Sequence, residues 1–229
     1  MTAPYYKDDL VTLYHGDCLE LADVWTVADV LVTDPPYGIN VEQRQAYRGR
    51  GIPTIRKSSA VAGDKTTEVR DSALLLWGDK PRVVFGSWRS PRPDPVGHRL
   101  IWHKKGQNPG PAKAAFISQD EEIYITGEGF LKSSPPQRSV IETTEARSGT
   151  SGLAALTGHP TPKPIALMEI LIERCPAGVV ADPFSGSGST LIAARNLGRK
   201  SIGVEIDEGY CEQIVKRLSQ QAFDFGETA

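Results

Sequence analysis

The chain has 229 residues and a formal net charge of −2, with 39% hydrophobic and 24% charged residues. This length and composition are typical of a globular chain with one full core, which excludes a disordered or fibrous protein. The near-neutral charge gives no global signal for nucleic acid, so any DNA-binding surface has to be local.

The N-terminal segment and the cysteines indicate the compartment. The first residues lack the apolar stretch of a signal peptide, and no run approaches the roughly 18 apolar residues that cross a bilayer. Cys18, Cys175 and Cys211 share no CxxC spacing and have no histidine cluster nearby, so neither a disulfide framework nor a metal site is expected. We expect a cytoplasmic protein with reduced thiols and no membrane contact.

Seven segments have the pattern of buried strands. In chain order they span residues 10–14, 27–33, 82–86, 98–103, 122–126, 178–181 and 201–205. Helical periodicity covers residues 66–78, 162–174, 189–197 and 208–220. The first, second and sixth strands run directly into turns with polar or acidic residues, as expected at the carboxyl edge of an open α/β sheet. The pattern predicts one domain over residues 1–229, with a Rossmann-like, doubly wound sheet of seven mostly parallel strands.

Two long segments show no core periodicity. They span residues 40–64 and 131–158, and the second is rich in Ser, Thr, Pro and Gly. Connections of this length inside a compact domain are usually functional loops or locally disordered.

The second predicted strand ends in Asp34-Pro35-Pro36-Tyr37. Two prolines remove two backbone donors and stiffen the chain just past the sheet edge, which leaves carbonyls as acceptors. The exocyclic amino group of a base is a pair of donors, which the Asp34 carboxylate and the Pro35 carbonyl can hold while Tyr37 stacks on the base. This orients the amino nitrogen toward an electrophile without a catalytic cysteine. A stiff turn without function is the alternative interpretation.

A glycine-rich turn over residues 182–190, Asp-Pro-Phe-Ser-Gly-Ser-Gly-Ser-Thr, joins an apolar strand to a helix. Its glycines allow a ligand to approach backbone N–H groups at the helix N-terminus. A P-loop requires Lys where Ser189 stands, and a dinucleotide fingerprint requires a third Gly where Leu191 stands. S-adenosylmethionine, which has no phosphates, is the ligand that remains. A tight packing turn is the alternative.

Further residues are assigned to the same cofactor. Asp182 is expected to meet its ammonium, and Glu205 lies close to the ~20-residue separation of an acid that holds ribose hydroxyls. Asp17 ends the first strand and is expected to accept from the adenine amino group. Lys163, in the Pro-rich segment 159–164, is expected beside the methionine carboxylate, unless that segment is only a rigid turn. The predicted cofactor-binding residues are Asp17, Cys18, Asp34, His159, Lys163, Pro164, Asp182, Phe184, Ser185, Gly186, Gly188, Ser189, Thr190, Glu205 and Ile206.

Basic residues form two candidate DNA-binding regions. The first follows the Asp-Pro-Pro-Tyr turn, and Glu42 is the single acid between residues 38 and 57. A loop of that charge can follow phosphates or enter the duplex in place of a flipped base. The second lies near Trp102. The predicted DNA-binding residues are Arg44, Arg48, Arg50, Arg56 and Lys57 in the first region, and Lys104 and Lys105 in the second. Solvated surface is the alternative for both.

Together these motifs resemble the circularly permuted, β-class N4/N6 amino-methyltransferases of DNA, in which the catalytic motif precedes the cofactor motif. The motifs that carry the resemblance are Gly-Asp-Cys-Leu-Glu (16–20), Asp-Pro-Pro-Tyr-Gly (34–38), Ile-Trp-His-Lys-Lys (101–105), His-Pro-Thr-Pro-Lys-Pro (159–164), Asp-Pro-Phe-Ser-Gly-Ser-Gly (182–188) and Gly-Val-Glu (203–205). The resemblance implies S-adenosylmethionine as cofactor, double-stranded DNA as substrate, and a flipped base at the carboxyl edge of the sheet. Asp-Pro-Pro-Tyr implies transfer to adenine N6, whereas Ser-Pro-Pro-Tyr marks cytosine N4.

Other interpretations stay open at this point. A cytosine-N4 enzyme or an RNA substrate would use the same machinery. A nucleotide-dependent oxidoreductase is disfavoured by Leu191, and an inactive DNA-binding relative by the complete set of acids. Larger relatives carry an extended target-recognition domain, for which this chain has only residues 131–158. A second copy of the chain, as a homodimer, and a cognate restriction enzyme are the further partners that the resemblance allows.

Overall fold

The computed structural model describes residues 2–36, 66–105, 118–133, 135–144, 159 and 162–224, with side chains as far as residue 220. Two segments with predicted roles, the basic loop 40–64 and residues 145–158, lie outside the described residues. In chain order the elements are β1 (Tyr6–Lys7), β2 (Val11–His15), α1 (Ala22–Trp25), β3 (Val30–Thr33), α2 (Glu68–Trp77), β4 (Arg82–Gly86), β5 (His98–Lys104), β6 (Asp120–Thr126), β7 (Val140–Thr143), α3 (Ile165–Ile172), β8 (Val180–Asp182), α4 (Ser189–Asn196), β9 (Ser201–Glu205) and α5 (Glu208–Asp224).

All the described strands belong to one sheet, in the order β1-β2-β9-β8-β3-β4-β6-β5-β7. The five central strands, β2, β9, β8, β3 and β4, run parallel to one another. Strand β6 is antiparallel to β4 and β5, and β1 is antiparallel to β2. The predicted α/β class and the mostly parallel sheet are therefore confirmed.

The predicted count of seven strands is wrong, because the sheet has nine. The two further strands, β1 and β7, lie at its two edges. Strand β1 has only two residues, too few for any periodicity. Strand β7 lies inside the segment 131–158 that was predicted to lack regular structure. Its alternating burial places Ile141 and Thr143 inside and Val140 and Glu142 outside.

Helices cover both faces of the sheet. Side chains along each strand point alternately to the two faces, so each face has its own core. On β3, Val30 and Val32 face a core formed with α3 and α4, whereas Leu31 faces the opposite core. Trp25 of α1 and Trp77 of α2 stack in that opposite core, with ring centroids 5.9 Å apart. Apolar cores on both faces, one of them with this aromatic pair, stabilise a doubly wound arrangement.

Several element boundaries differ slightly from the predicted ones. Strand β3 begins at Val30 rather than at residue 27, because the side chain of Val27 is 72% exposed in the preceding turn. Helix α3 begins after Pro164, which caps it and fixes an extended backbone.

All three cysteines are free and buried. No helix in the described part of the chain has the length and apolar character that a membrane span requires.

Candidate functional site

The carboxyl ends of four neighbouring parallel strands, β2, β9, β8 and β3, bring the predicted acids to one edge of the sheet. Asp34 follows β3, Asp182 ends β8, and Glu205 ends β9. The Gly16 amide donates to the Glu205 carbonyl at 2.9 Å, which places the turn with Asp17 beside the end of β9. The sheet order, rather than any sequence proximity, creates this cluster of acids.

The glycine-rich turn is built around Glu205. The Gly186 amide donates to the Glu205 carboxylate at 2.6 Å, and the Asp207 amide donates to its other oxygen at 2.9 Å. Gly186 and Gly188 have φ angles of 51° and 78°, in the left-handed region that side chains disfavour. The two glycines are therefore required by the shape of the turn.

Asp182 is held from several directions. The Thr33 hydroxyl donates to its carboxylate at 2.7 Å, and the Phe184 amide donates to the same oxygen at 3.1 Å. The Ser185 hydroxyl donates to the Asp182 carbonyl at 3.0 Å. Burial raises the pKa of Asp182 to about 6, despite the hydrogen bonds from Thr190 and Thr33. Asp182 thus stabilises the turn as well as contributing negative charge to the edge.

Glu205 is more strongly affected by burial. Desolvation raises its pKa to about 7, against the lowering effect of its two amide donors. Carboxyl groups shifted toward neutral pH, at the open end of strands, are common in functional sites. Ile206, the next residue, has a side chain that is 52% exposed at this edge.

The other predicted cofactor residues on this edge have distinct environments. Asp17 accepts a hydrogen bond from the Leu19 amide at 2.8 Å, within its own turn. Cys18 is buried in the core, and desolvation, followed by the charge of Asp17, raises the pKa of its thiol to about 12. The Cys18 carbonyl accepts from the Trp25 indole at 2.8 Å. The side chain of Cys18 therefore belongs to the core, and its carbonyl is occupied by the buried Trp25 indole.

His159 covers the glycine-rich turn. Its ring centroid lies 4.9 Å from that of Tyr210, and a Cβ added at Gly186 would lie 3.0 Å from its Nε2. Burial, reinforced by the charges of Lys163 and Arg217, lowers the pKa of His159 to about 4. The imidazole is therefore neutral at physiological pH. Among the other predicted turn residues, Ser185, Ser189 and Thr190 are buried, and Phe184 is partly buried.

Asp34 lies in a different part of the edge, where it meets Lys163. The Lys163 ammonium donates to Asp34 Oδ2 and lies 3.3 Å from Glu121 Oε2. Asp34 Oδ1 is buried and accepts no hydrogen bond from the residues that the structure describes. Burial raises the pKa of Asp34 above its usual range, against the lowering effect of Lys163. Pro35 and Pro36, the next two residues, are buried.

This geometry assigns Lys163 and Lys104 to the surroundings of Asp34. Lys163 was predicted beside the methionine carboxylate, and the structure places its ammonium on the two carboxylates of Asp34 and Glu121. Lys104 was predicted to bind DNA, and its ammonium pairs with Glu121 in a largely buried position. Lys105 is exposed and lies 3.4 Å from Glu142.

Sequence reasoning missed Glu121. The run Asp120-Glu121-Glu122 opens β6 with three acids, a pattern that suggests solvent, yet Glu121 and Glu122 are covered on opposite faces of the strand. Tyr37 and the five residues of the predicted basic loop, Arg44, Arg48, Arg50, Arg56 and Lys57, lie outside the described residues.

Comparison with known proteins gives the family. The profile of the N6/N4 methyltransferase family, described as DNA methylase, matches residues 95–216. The chain is 41% identical to type II methyltransferase M2.LlaDCHI of Lactococcus lactis subsp. cremoris, over 97% of this chain and 94% of that protein. It is 30% identical to the putative methylase YubD of Escherichia coli K12, over 89% of this chain and 88% of that protein.

Solved structures share the fold. The M1.HpyAVI–SAM complex superposes with a TM-score of 0.65 at 23% identity, covering 91% of this chain and 99% of that one. The cytosine-N4-specific PvuII DNA methyltransferase superposes with a TM-score of 0.64 at 19% identity, covering 93% and 87%. The family profile covers more than half of the chain, and the relatives align over nearly all of it. The chain therefore belongs to the N6/N4 DNA methylase family and is a DNA methyltransferase.

Proposed function

We propose that this DNA methyltransferase transfers a methyl group from S-adenosylmethionine to the N6 amino group of an adenine that is flipped out of double-stranded DNA. The observation that carries the proposal is Asp34 Oδ1, a buried carboxylate oxygen with no hydrogen-bond partner among the described residues. A buried acceptor without a partner costs about 1–3 kcal/mol. An amino N–H of the target base would remove that cost.

In this mechanism, Asp34 and Pro35 each accept one hydrogen of the amino group. Lys163 fixes Oδ2, so the carboxylate cannot turn away when the amino group reaches Oδ1. Pro35 offers its carbonyl to the second amino hydrogen, and the two prolines keep that carbonyl rigid. With both hydrogens held, the nitrogen lone pair points out of the plane of the hydrogen bonds, and this orientation makes the nitrogen a nucleophile. Tyr37 supplies the stacking face for the base.

The cofactor site is assigned to the glycine-rich turn and its neighbours. When bound, S-adenosylmethionine supplies an electrophilic methyl group on its sulfonium. Its ribose hydroxyls, ammonium and adenine amino group are donors, and this edge supplies acceptors for them in Glu205, Asp182 and Asp17, respectively. Ile206, exposed beside Glu205, offers an apolar contact for the adenine ring. The M1.HpyAVI structure, which shares this fold, was solved as a complex with SAM.

The order of the motifs supports the permuted, β-class assignment. Asp34, which follows β3, precedes the glycine-rich turn after β8 in sequence, although β8 and β3 are adjacent in the sheet. An aspartate in the first position of the Pro-Pro-Tyr motif supports adenine over cytosine, although the PvuII cytosine-N4 enzyme has the same fold.

The first test replaces the acceptor. We expect Asp34→Asn to lower methyl transfer to duplex DNA at least about 100-fold, as for other groups that orient or stabilise the reacting atoms. Cofactor affinity, measured by isothermal titration calorimetry, should change little. Asp9→Asn is the matched control, because Asp9 is exposed at the amino end of β2, opposite the site.

The product identifies the base. Mass spectrometry of nucleosides from DNA methylated in vitro should detect N6-methyladenine. Detection of N4-methylcytosine alone would replace adenine by cytosine in the proposal. Full transfer by Asp34→Asn would reject the catalytic assignment altogether.

A further inference from the structure

Four charged side chains from four different parts of the chain form one line that ends at Asp34. Lys104 on β5 pairs with Glu121 on β6, Glu121 lies 3.3 Å from Lys163 just before α3, and Lys163 pairs with Asp34 after β3. Cations and carboxylates alternate along the line. We call these residues, Lys104, Glu121, Lys163 and Asp34, the charge line.

The charge line is balanced and shielded from water. The side chains of Lys163 and Glu121 are 5% and 15% exposed. The Lys163 ammonium lies 5.0 Å from the Phe85 ring centroid, and the Lys104 ammonium lies 4.8 Å from that of Trp102. Two ammoniums and two carboxylates cancel, whereas loss of one member would leave an uncompensated buried charge. Burial alone would raise the pKa of Glu121, but Lys163 and Lys104 outweigh it and hold that pKa below its usual range.

Within the described part of the chain, the charges that face Asp34 come from several different elements. Lys163 contributes a cation from the segment before α3, Glu121 an anion from β6, and Lys104 a cation from β5. Asp182 contributes a further carboxyl group from β8. The charge line is therefore arranged to control both the position and the ionisation of the carboxylate that holds the base.

We propose that Glu121 is a positioning residue, which holds Lys163 against one oxygen of Asp34 and thereby leaves the other oxygen to the amino group of the target base. This inference rests on the proposed function of Asp34. In the wild-type protein the Lys163 ammonium lies between the carboxylates of Asp34 and Glu121. Without the Glu121 carboxylate, no anion on β6 would hold this ammonium on one side of Asp34. Lys104 has the corresponding role for Glu121, one step further from the base.

The test compares single-turnover methyl transfer to duplex DNA across pH 5–9 for variants that remove opposite charges. Transfer requires ionised Asp34, so the rate falls on the acid side as Asp34 is protonated. Glu121→Gln removes an anion near Asp34, and we expect the acid limb to move down by about one pH unit while the plateau rate falls. Lys163→Gln removes a cation, and we expect the acid limb to move up by about one unit.

Opposite shifts distinguish positioning from a general loss of packing, which would lower the rate without moving the limb. Glu122→Gln is the matched control, because Glu122 is buried next to Glu121 but faces Arg99 and Tyr124. It should leave the pH profile unchanged. A carboxyl-detected NMR titration of the cofactor-free protein gives the Asp34 pKa directly and should show the same two shifts.

Unmoved acid limbs in both variants, with folded proteins by circular dichroism, would overturn the inference. If Glu121→Gln does not fold, Lys104→Gln replaces it in the test. We then expect the acid limb to move up by less than in Lys163→Gln. An unmoved acid limb in Lys104→Gln would contradict the proposal. The two proposals fail separately. If the Asp34→Asn variant is active, the proposed function is wrong. If Asp34→Asn is inactive but the acid limbs of the other variants do not move, only the role of Glu121 is wrong.

Discussion

At the scale of single residues, the site contains buried carboxyl groups whose pKa values are raised because burial disfavours their ionised form. Glu205 accepts two amide hydrogen bonds, which stabilise the carboxylate, yet burial still raises its pKa to about 7. Desolvation therefore dominates in the cofactor-free protein. A ligand that donates further hydrogen bonds to Glu205 would favour the ionised form and release a proton on binding.

This linkage predicts how cofactor affinity depends on pH. If the ribose hydroxyls of the cofactor bind ionised Glu205, the dissociation constant should rise about tenfold for each pH unit below 7 and level off above it. Asp182, with a pKa of about 6, should add to the loss only below that pH. His159, with a pKa of about 4, stays neutral throughout pH 5.5–8.

Calorimetric titration of S-adenosylmethionine across pH 5.5–8 measures this dependence. Glu205→Gln is the control, since glutamine has the same shape and cannot titrate. The variant should bind more weakly at pH 8, with a flatter profile between pH 6 and 7. An equally steep profile in Glu205→Gln would assign the titration to another group.

The acids at the carboxyl edge of the sheet were predictable from sequence, because each lies at or just past the end of an apolar strand. Asp17, Asp34, Asp182 and Glu205 share that feature, and parallel strands bring their carboxyl ends together. Glu121 lacks it, since it begins a strand instead of ending one. Its role depends on β6 being antiparallel to β4, a pairing that no local pattern specifies.

At the scale of elements, Gly188 joins the glycine-rich turn to two helices. It is the residue before α4 and has a φ of 78°. A Cβ at this position would lie 2.8 Å from Cγ1 of Ile214, which is fully buried on α5. The left-handed backbone and the close packing of α5 both require glycine here.

Gly188→Ala should therefore destabilise the protein through two separable terms. The left-handed conformation costs alanine about 1 kcal/mol, and the contact with Ile214 adds about 1–3 kcal/mol of overpacking. Gly198→Ala is a matched control, because Gly198 has a φ of 67° and no atom within 4 Å of an added Cβ. Urea unfolding should give a larger loss for Gly188→Ala, and equal losses would contradict the packing argument.

The edge strands show where sequence reasoning about elements ends. Strand β7 has four residues and pairs with β5 only from Ile101 to Lys104. Its stability comes from tertiary contacts, such as the Trp102 indole that donates to the Thr143 hydroxyl at 3.0 Å. Such contacts have no sequence periodicity, so part of the predicted recognition segment 131–158 is a strand of the sheet.

At the scale of the whole molecule, a net charge of −2 has to be reconciled with a DNA substrate. The acids at the carboxyl edge add negative potential close to where DNA has to approach. Among the predicted cations, Lys104 is paired and largely buried, and Lys105 lies near Glu142. We therefore expect DNA affinity to come mainly from the five cations of the loop 40–64, which follows Asp34-Pro35-Pro36-Tyr37 in the sequence.

We predict that Arg48 and Arg50 supply much of the salt dependence of DNA binding. If each neutralises one phosphate, the double variant Arg48→Ala/Arg50→Ala should reduce the slope of log affinity against log salt by about 1.8, since each contact contributes about 0.9. Cofactor affinity should not change. The matched control is Lys7→Ala/Lys200→Ala, which removes two exposed cations far from the carboxyl edge. Fluorescence anisotropy with a labelled duplex at several salt concentrations measures the slopes. Equal slopes in the two double variants would show that DNA is held by another surface, because only contacts with phosphate release counterions.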